Sequence, residues 1–213
     1  MTTPVSDTAR AVSDTIAMRD RVLPTYARAD VTIVRGEGCR VWDARGRSYL
    51  DFGTGIAVTT LGHVHPAATA AAHEQLDRLL HASNLYWTEP MLRLAGLLSD
   101  RLGGAQAFFC NSGAEANEAA IKYARKATGR SRIVALEGGF HGRTIGALSA
   151  TGQPAKWEGF GPLLQDVSFA PPNDVEAFER AVSPGGDVAL VLIECVLGEG
   201  GVIPLEADFA RAT

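Results

Sequence analysis

The rhythm of apolar and polar positions changes near Gly62. Before it, Val31-Thr32-Ile33-Val34-Arg35, Cys39-Arg40-Val41-Trp42 and Ser48-Tyr49-Leu50 are short runs rich in β-branched and aromatic residues. Asp43-Ala44-Arg45-Gly46 between the last two has hairpin-loop composition. These runs predict a small antiparallel sheet, preceded by a helical arm over residues 6–21 that Pro24 ends. After Gly62, segments at helical spacing alternate with solid apolar runs. Helices are expected over 66–80, 89–102, 114–126, 142–150 and 174–182, and strands over 105–110, 132–136, 167–170 and 188–194. Residues 207–213 read as an amphipathic helix just begun. Strands without polar residues at every second position argue for a mostly parallel sheet covered by helices on both faces, the α/β class.

Composition narrows the possibilities. With 46% hydrophobic and 21% charged residues, the 213-residue chain has material for a sizeable core and is not globally disordered. A formal charge of -4 leaves no basic excess, which argues against nucleic acid or an anionic membrane as partner. The opening residues lack the basic and apolar regions of a signal peptide, and the longest apolar runs, such as 188–193, have strand length. A cytoplasmic location is expected. Cys39, Cys110 and Cys195 form no CxxC pair and sit in apolar runs, which predicts small buried hydrophobes in a reducing compartment. His63 and His65 have no third ligand nearby, so no metal site is expected. The basic residues are lopsided, with 17 arginines against only Lys122, Lys126 and Lys156.

The most informative segment runs from Phe108 to Ala120, an expected strand feeding a helix through the tight turn Asn111-Ser112-Gly113-Ala114. Ser112 followed by Glu115 is a capping box, and the amides of Gly113 and Ala114 at the positive end of a helix form an anion site. A merely well-capped helix accounts for the turn equally well, and composition leaves both readings open. The turn is neither GxxxxGK[ST] nor GxGxxG, and the chain has no GxSxG elbow and no HExxH helix, so nucleotide binding and hydrolysis lack an anchor.

Further stretches stand in a specific order: Leu50-Asp51-Phe52, Gly62-His63 with His65-Pro66, Ser83-Asn84-Leu85-Tyr86, the run 111–122, Phe140-His141-Gly142-Arg143-Thr144, residues 146–154 with 159–164, and Gly198-Glu199-Gly200-Gly201. In this order and spacing the chain resembles the N-terminal half of the class III (subgroup II) aminotransferases, which use pyridoxal phosphate. Residues 146–154 and 159–164 favour the acetylornithine branch over the 4-aminobutyrate and ornithine branches. The resemblance implies a fold type I enzyme. Residues 1–61 would supply an N-terminal arm and part of a small α+β domain, and 62–213 an incomplete large cofactor-binding domain. It further implies that Ser112, Gly113 and Ala114 hold the cofactor phosphate, that Phe140 stacks on its ring, and that His141 and Glu194 lie beside it. Arg143 would grip a substrate α-carboxylate through its planar fork. Glu199 resembles a gating glutamate that moves aside for a dicarboxylate such as 2-oxoglutarate, and Ile56, Tyr86 and Trp87 would line the substrate pocket. Where relatives have proline and glutamine, this chain has Cys195 and Leu197.

The implied activity moves an amino group from N-acetylornithine, or a similar ω-amino donor, to 2-oxoglutarate in arginine biosynthesis, by a cytoplasmic homodimer. The resemblance implies that the lysine that joins the cofactor as a Schiff base lies beyond Thr213; of the three present, Lys122 and Lys126 fall on the helix behind the phosphate turn and Lys156 in a loop, and none fits that role. A truncated product, inactive alone, is therefore the expectation, with a non-catalytic phosphate-binding α/β module as its alternative.

Overall fold

A computed structural model describes residues 18–183 and 185–213. Most of the expected arm at 6–21 lies outside the described residues, and Arg19–Arg21 forms one 3₁₀ turn. The chain divides into two compact units, Met1–Leu92 and Arg93–Thr213.

The first unit contains the expected antiparallel sheet, β1 (Ile33–Glu37), β2 (Arg40–Asp43) and β3 (Ser48–Leu50), in that spatial order. Trp42 pairs with Ser48 and Arg40 with Leu50. Asp43 closes the β2–β3 turn: its Oδ1 accepts the amides of Arg45 and Arg47, each at 2.9 Å, and its Oδ2 accepts Arg47 Nε at 2.7 Å and the Tyr49 hydroxyl at 2.8 Å. Burial alone would raise this carboxyl's pKa, but the hydrogen bonds from Arg47, Tyr49 and the backbone outweigh it and hold the group at about 2. His63 has a similar structural task. Its Nε2 lies 2.7 Å from Asp51 Oδ2, and its backbone bridges to Gly38, at 2.8 Å and 3.0 Å. Helix α1 (Pro66–Arg78) starts with proline in its first turn, where the missing N–H costs nothing. Helix α2 (Glu89–Arg101) runs across the boundary between the units.

The second unit is built on a parallel sheet of order β5-β4-β6, from β4 (Arg132–Leu136), β5 (Val167–Ala170) and β6 (Val188–Leu192). Alternation along β4 sends Val134 and Leu136 to one face, where they meet Phe178 of α5 (Val175–Val182) and Phe209 of α6 (Ala207–Ala212). Ile133 faces the opposite side and packs with Ile121 of α3 (Gly113–Thr128) and with Ala150, which follows α4 (Ile145–Ser149). A register shift between Arg132 and Ile133 turns Val188 to the same face as Val191, while Leu190 and Leu192 take the other. Two short strands, β7 (Val196–Leu197) and β8 (Ile203–Pro204), make a small antiparallel pair.

Three expectations are corrected. Residues 105–110 form no strand: both ladder sides of β4 are taken by β5 and β6, and among the described residues no other strand pairs with this segment. The strand expected over 188–194 stops at Leu192, so Glu194 lies beyond the ladder. All three cysteines are free and exposed, because Cys39 sits at the β1–β2 turn, Cys110 in the unpaired segment and Cys195 past the end of β6. Among the described residues no group of acidic, histidine or cysteine side chains could hold a metal ion, and no helix is long and apolar enough to cross a membrane.

Candidate active site

Within the second unit, the loops after β4 and β6 and the start of α3 carry most of the residues picked out from the sequence. Ser112 caps α3, its Oγ accepting the Glu115 amide at 3.2 Å. The reciprocal arm of the capping box shifts by one residue: Glu115 accepts the Asn111 amide at 2.6 Å and its side-chain amide at 3.3 Å, which lowers the Glu115 pKa. The first helical hydrogen bond runs from Ala116 N to Ser112 O. The amides of Gly113 and Ala114 therefore have no partner within the helix, and they lie at its positive end. Around Gly113 an added Cβ would meet nothing within 4 Å, so the turn is open.

The loop Phe140–Arg143 is pressed onto this helix start. A Cβ on Gly142 would stand 2.8 Å from Ala114 Cβ, and Gly142 has φ +136°, so glycine is required there both for space and for conformation. Two side chains one turn along α3, which sequence reasoning missed, secure the contact. Asn117 Nδ2 donates to His141 O at 2.6 Å, and Glu118 Oε1 accepts the Thr144 hydroxyl at 2.6 Å and the Ala147 amide at 3.2 Å. Their spacing from Ser112 and Ala114, which puts all four near one end of the same helix, was the available signal.

Phe140 is half-buried and its amide donates to Glu194 Oε1 at 2.7 Å, so the carboxylate after β6 fixes the loop after β4. His141 is 6% exposed; its amide donates to Thr151 Oγ1 at 3.0 Å, while its Nε2 is buried without a hydrogen-bond partner. Burial pushes the imidazole pKa below its ordinary value, opposed by the negative charge of Glu194, so the ring is neutral near pH 7. Glu199 stands on the loop after β7, with Lys156 Nζ 3.9 Å from its Oε2, and the same ammonium lies 5.3 Å from the centroid of the Phe140 ring. Arg143 is exposed on the loop ahead of α4.

Leu197, one of the two departures from the expected motif, is a core residue: it is fully buried in β7 with Val134, Leu136 and Phe209. Cys195 contributes its carbonyl, which accepts the Leu205 amide at 3.0 Å. The residues expected to line a substrate pocket from the first unit are exposed there, Ile56 at 93% and Trp87 at 81%. Ile56 lies in a turn with φ 60°, an unfavourable conformation for a β-branched side chain.

Comparison with known proteins agrees with this arrangement. The model of the class-III aminotransferases matches residues 24–213. The acetylornithine aminotransferase of Caldanaerobacter subterraneus subsp. tengcongensis is 46% identical over 197 residues, 90% of this chain and 50% of that enzyme. Among solved structures, an N-acetylornithine aminotransferase from Stenotrophomonas maltophilia has a TM-score of 0.72 at 36% identity, over 89% of this chain and 48% of that one. An ornithine aminotransferase from Toxoplasma gondii, with partial occupancy of pyridoxal phosphate at its active site, has a TM-score of 0.87 at 27% identity, over 99% of this chain and 53% of that one. The chain spans about half the length of the curated relatives it matches. The two-faced parallel sheet is the fold the sequence motifs imply, and with a family match over residues 24–213 the chain belongs to the class-III aminotransferases.

Proposed function

We propose that this site takes part in a pyridoxal-phosphate-dependent transamination, with N-acetylornithine as amino donor and 2-oxoglutarate as acceptor, a step of arginine biosynthesis. The observation that carries the reading is the contact of Gly142 with Ala114, which puts an aromatic ring, an arginine and two helix-start amides on adjacent stretches of backbone. This arrangement fits a phosphorylated pyridine. Gly113, Ala114 and the Ser112 hydroxyl would hold the phosphate, and Phe140 would pack on the ring. His141, neutral and with Nε2 unpartnered, offers one more hydrogen bond. When bound, the cofactor supplies the electron sink through which an amino group leaves one carbon skeleton for another. The chain's own residues orient the reactants. Glu194 fixes the Phe140 backbone, and Arg143 offers a bidentate fork to the substrate α-carboxylate.

None of the three lysines is assigned the amine that joins the cofactor. Lys122 and Lys126 lie on α3, and Lys156 faces Glu199. The acetylornithine relatives support the donor, and a cytoplasmic homodimer goes with this reading. Ornithine is the second reading, favoured by the higher TM-score of the Toxoplasma enzyme. Two measurements test the proposal. The chain should bind pyridoxal 5′-phosphate more tightly than pyridoxal, and equal affinities overturn the phosphate site. A glutamate-forming assay on the full-length polypeptide should rank N-acetylornithine above ornithine and 4-aminobutyrate.

A further inference from the structure

The first turn of α4 is capped from outside itself. Thr144 occupies the N-cap position, where a threonine hydroxyl ordinarily accepts an amide of the first turn, yet its side chain makes no such bond. It donates instead to Glu118 Oε1 at 2.6 Å, and the same oxygen accepts the Ala147 amide at 3.2 Å, a bond that the Thr144 hydroxyl was placed to make. The carboxylate lies so close to Gly146 that a Cβ there would overlap Oε2. A local cap was therefore within reach and stands unused, and its place is taken by a residue of α3 that needs a glycine opposite it. The stability of a five-residue helix does not call for such an arrangement; tying the start of α4 to α3 does.

What is tied is the backbone around Arg143. Ala114, Asn117 and Glu118 share one face of α3, because they stand three and four residues apart, and each meets a different residue of the loop. Asn117 holds the His141 carbonyl, and Ala114 presses on Gly142, which is also wedged against Ala147. Glu118 holds Thr144. Arg143 follows one of these anchored residues and precedes the other. We propose that Glu118 is a positioning residue for Arg143: by capping α4 from α3, it fixes the backbone from which the guanidinium reaches a substrate carboxylate. This rests on the reading of the site given above.

The consequence is a fixed span. Because α3 also begins with the candidate phosphate amides, one rigid helix sets the separation between the cofactor phosphate and the substrate carboxylate, and with it the length of substrate that the site accepts.

The test reads two affinities of the full chain by nuclear magnetic resonance titration: pyridoxal 5′-phosphate, and the unreactive monocarboxylate pentanoate in its presence. Glu118→Ala should weaken pentanoate about tenfold or more and leave the cofactor within about threefold, a split that general loosening of the fold would not produce. Glu118→Gln should return pentanoate to within about threefold of the parent, because Oε1 alone accepts both donors and an amide oxygen can replace it. Thr144→Val should weaken pentanoate about threefold by itself and no further in the Glu118→Ala background, as befits residues that act through one contact. Equal losses for both ligands in Glu118→Ala, or none for pentanoate, overturn the assignment. So do a Glu118→Gln variant as weak as Glu118→Ala and losses that add in the double variant. Should Glu118→Ala not fold, Thr144→Val must show the split and Thr144→Ser must restore it; a Thr144→Val variant that spares pentanoate then overturns the assignment. Arg143→Met separates the two failures. If it spares pentanoate, the reading of the site falls and the role of Glu118 with it, whereas a loss in Arg143→Met beside an unaffected Glu118→Ala removes only the role of Glu118.

Discussion

The two units reach order by different means. Among the described residues of the first, Asp43 alone is buried, and it is a carboxylate answered by four hydrogen bonds from Arg45, Arg47 and Tyr49. In the second, Ile133, Val134 and Leu136 are almost wholly removed from water, and helices supply apolar partners to both faces of the sheet. The hairpin therefore depends on charge state and direction, while the sheet depends on volume. The candidate cofactor loops hang from the second kind of structure, which suits a site that must hold its geometry.

The largest test of this contrast is Phe209→Ala. Phe209 is fully buried and packs edge to face on Phe178 at 5.5 Å, so its loss should reduce the stability of the second unit by about 3–5 kcal/mol. Amide exchange read by mass spectrometry should lose protection in β4–β6 and keep it in β2–β3; equal losses would break the comparison. Gly142→Ala comes next. Its new methyl would collide with Ala114, which should cost about 1–3 kcal/mol and weaken pyridoxal 5′-phosphate binding, measured by fluorescence titration. Ser112→Ala removes the α3 cap, for about 1 kcal/mol in chemical denaturation, whereas Ser112→Asp should retain the cap and lose phosphate affinity by charge repulsion.

The pH response is the smallest effect and the sharpest discriminator. Burial holds the folded His141 pKa below 6.5, so its contribution is complete above about pH 6.5 and falls as pH drops through the depressed value. Asp43, at about 2 against a usual 3.8, keeps its contribution above 3.8 and loses it as pH falls towards 2. In an acid titration followed by nuclear magnetic resonance, amides of 138–142 should shift before those of 43–49. A hairpin that changes together with the loop contradicts the division.

Much of this was legible in the residues. The runs that became β2, β3, β4 and β5 are short and strongly apolar or β-branched, and the Ser112–Glu115 cap depends only on local spacing. What escaped notice depends on distant partners. Leu197 is a core residue because β7 folds beneath Gly138, and Lys156 reaches Glu199 across 43 positions of sequence. Residues 105–110 misled because strand composition reports fitness for a ladder and not whether a neighbour is present. The cysteines misled for the same reason, since apolar surroundings in sequence do not bury a residue at a strand end.

That unpaired segment has a colloidal consequence. Ala105-Gln106-Ala107-Phe108-Phe109-Cys110 contains no charge and no proline, forms no strand, and leaves Phe108 exposed. Such a stretch, outside any ladder, can template cross-β growth between molecules, and the exposed thiol of Cys110 at its end can lock neighbouring chains together by oxidation. In concentrated preparations, self-association should begin at this stretch, and Gln106→Lys should suppress it without touching the candidate cofactor loops.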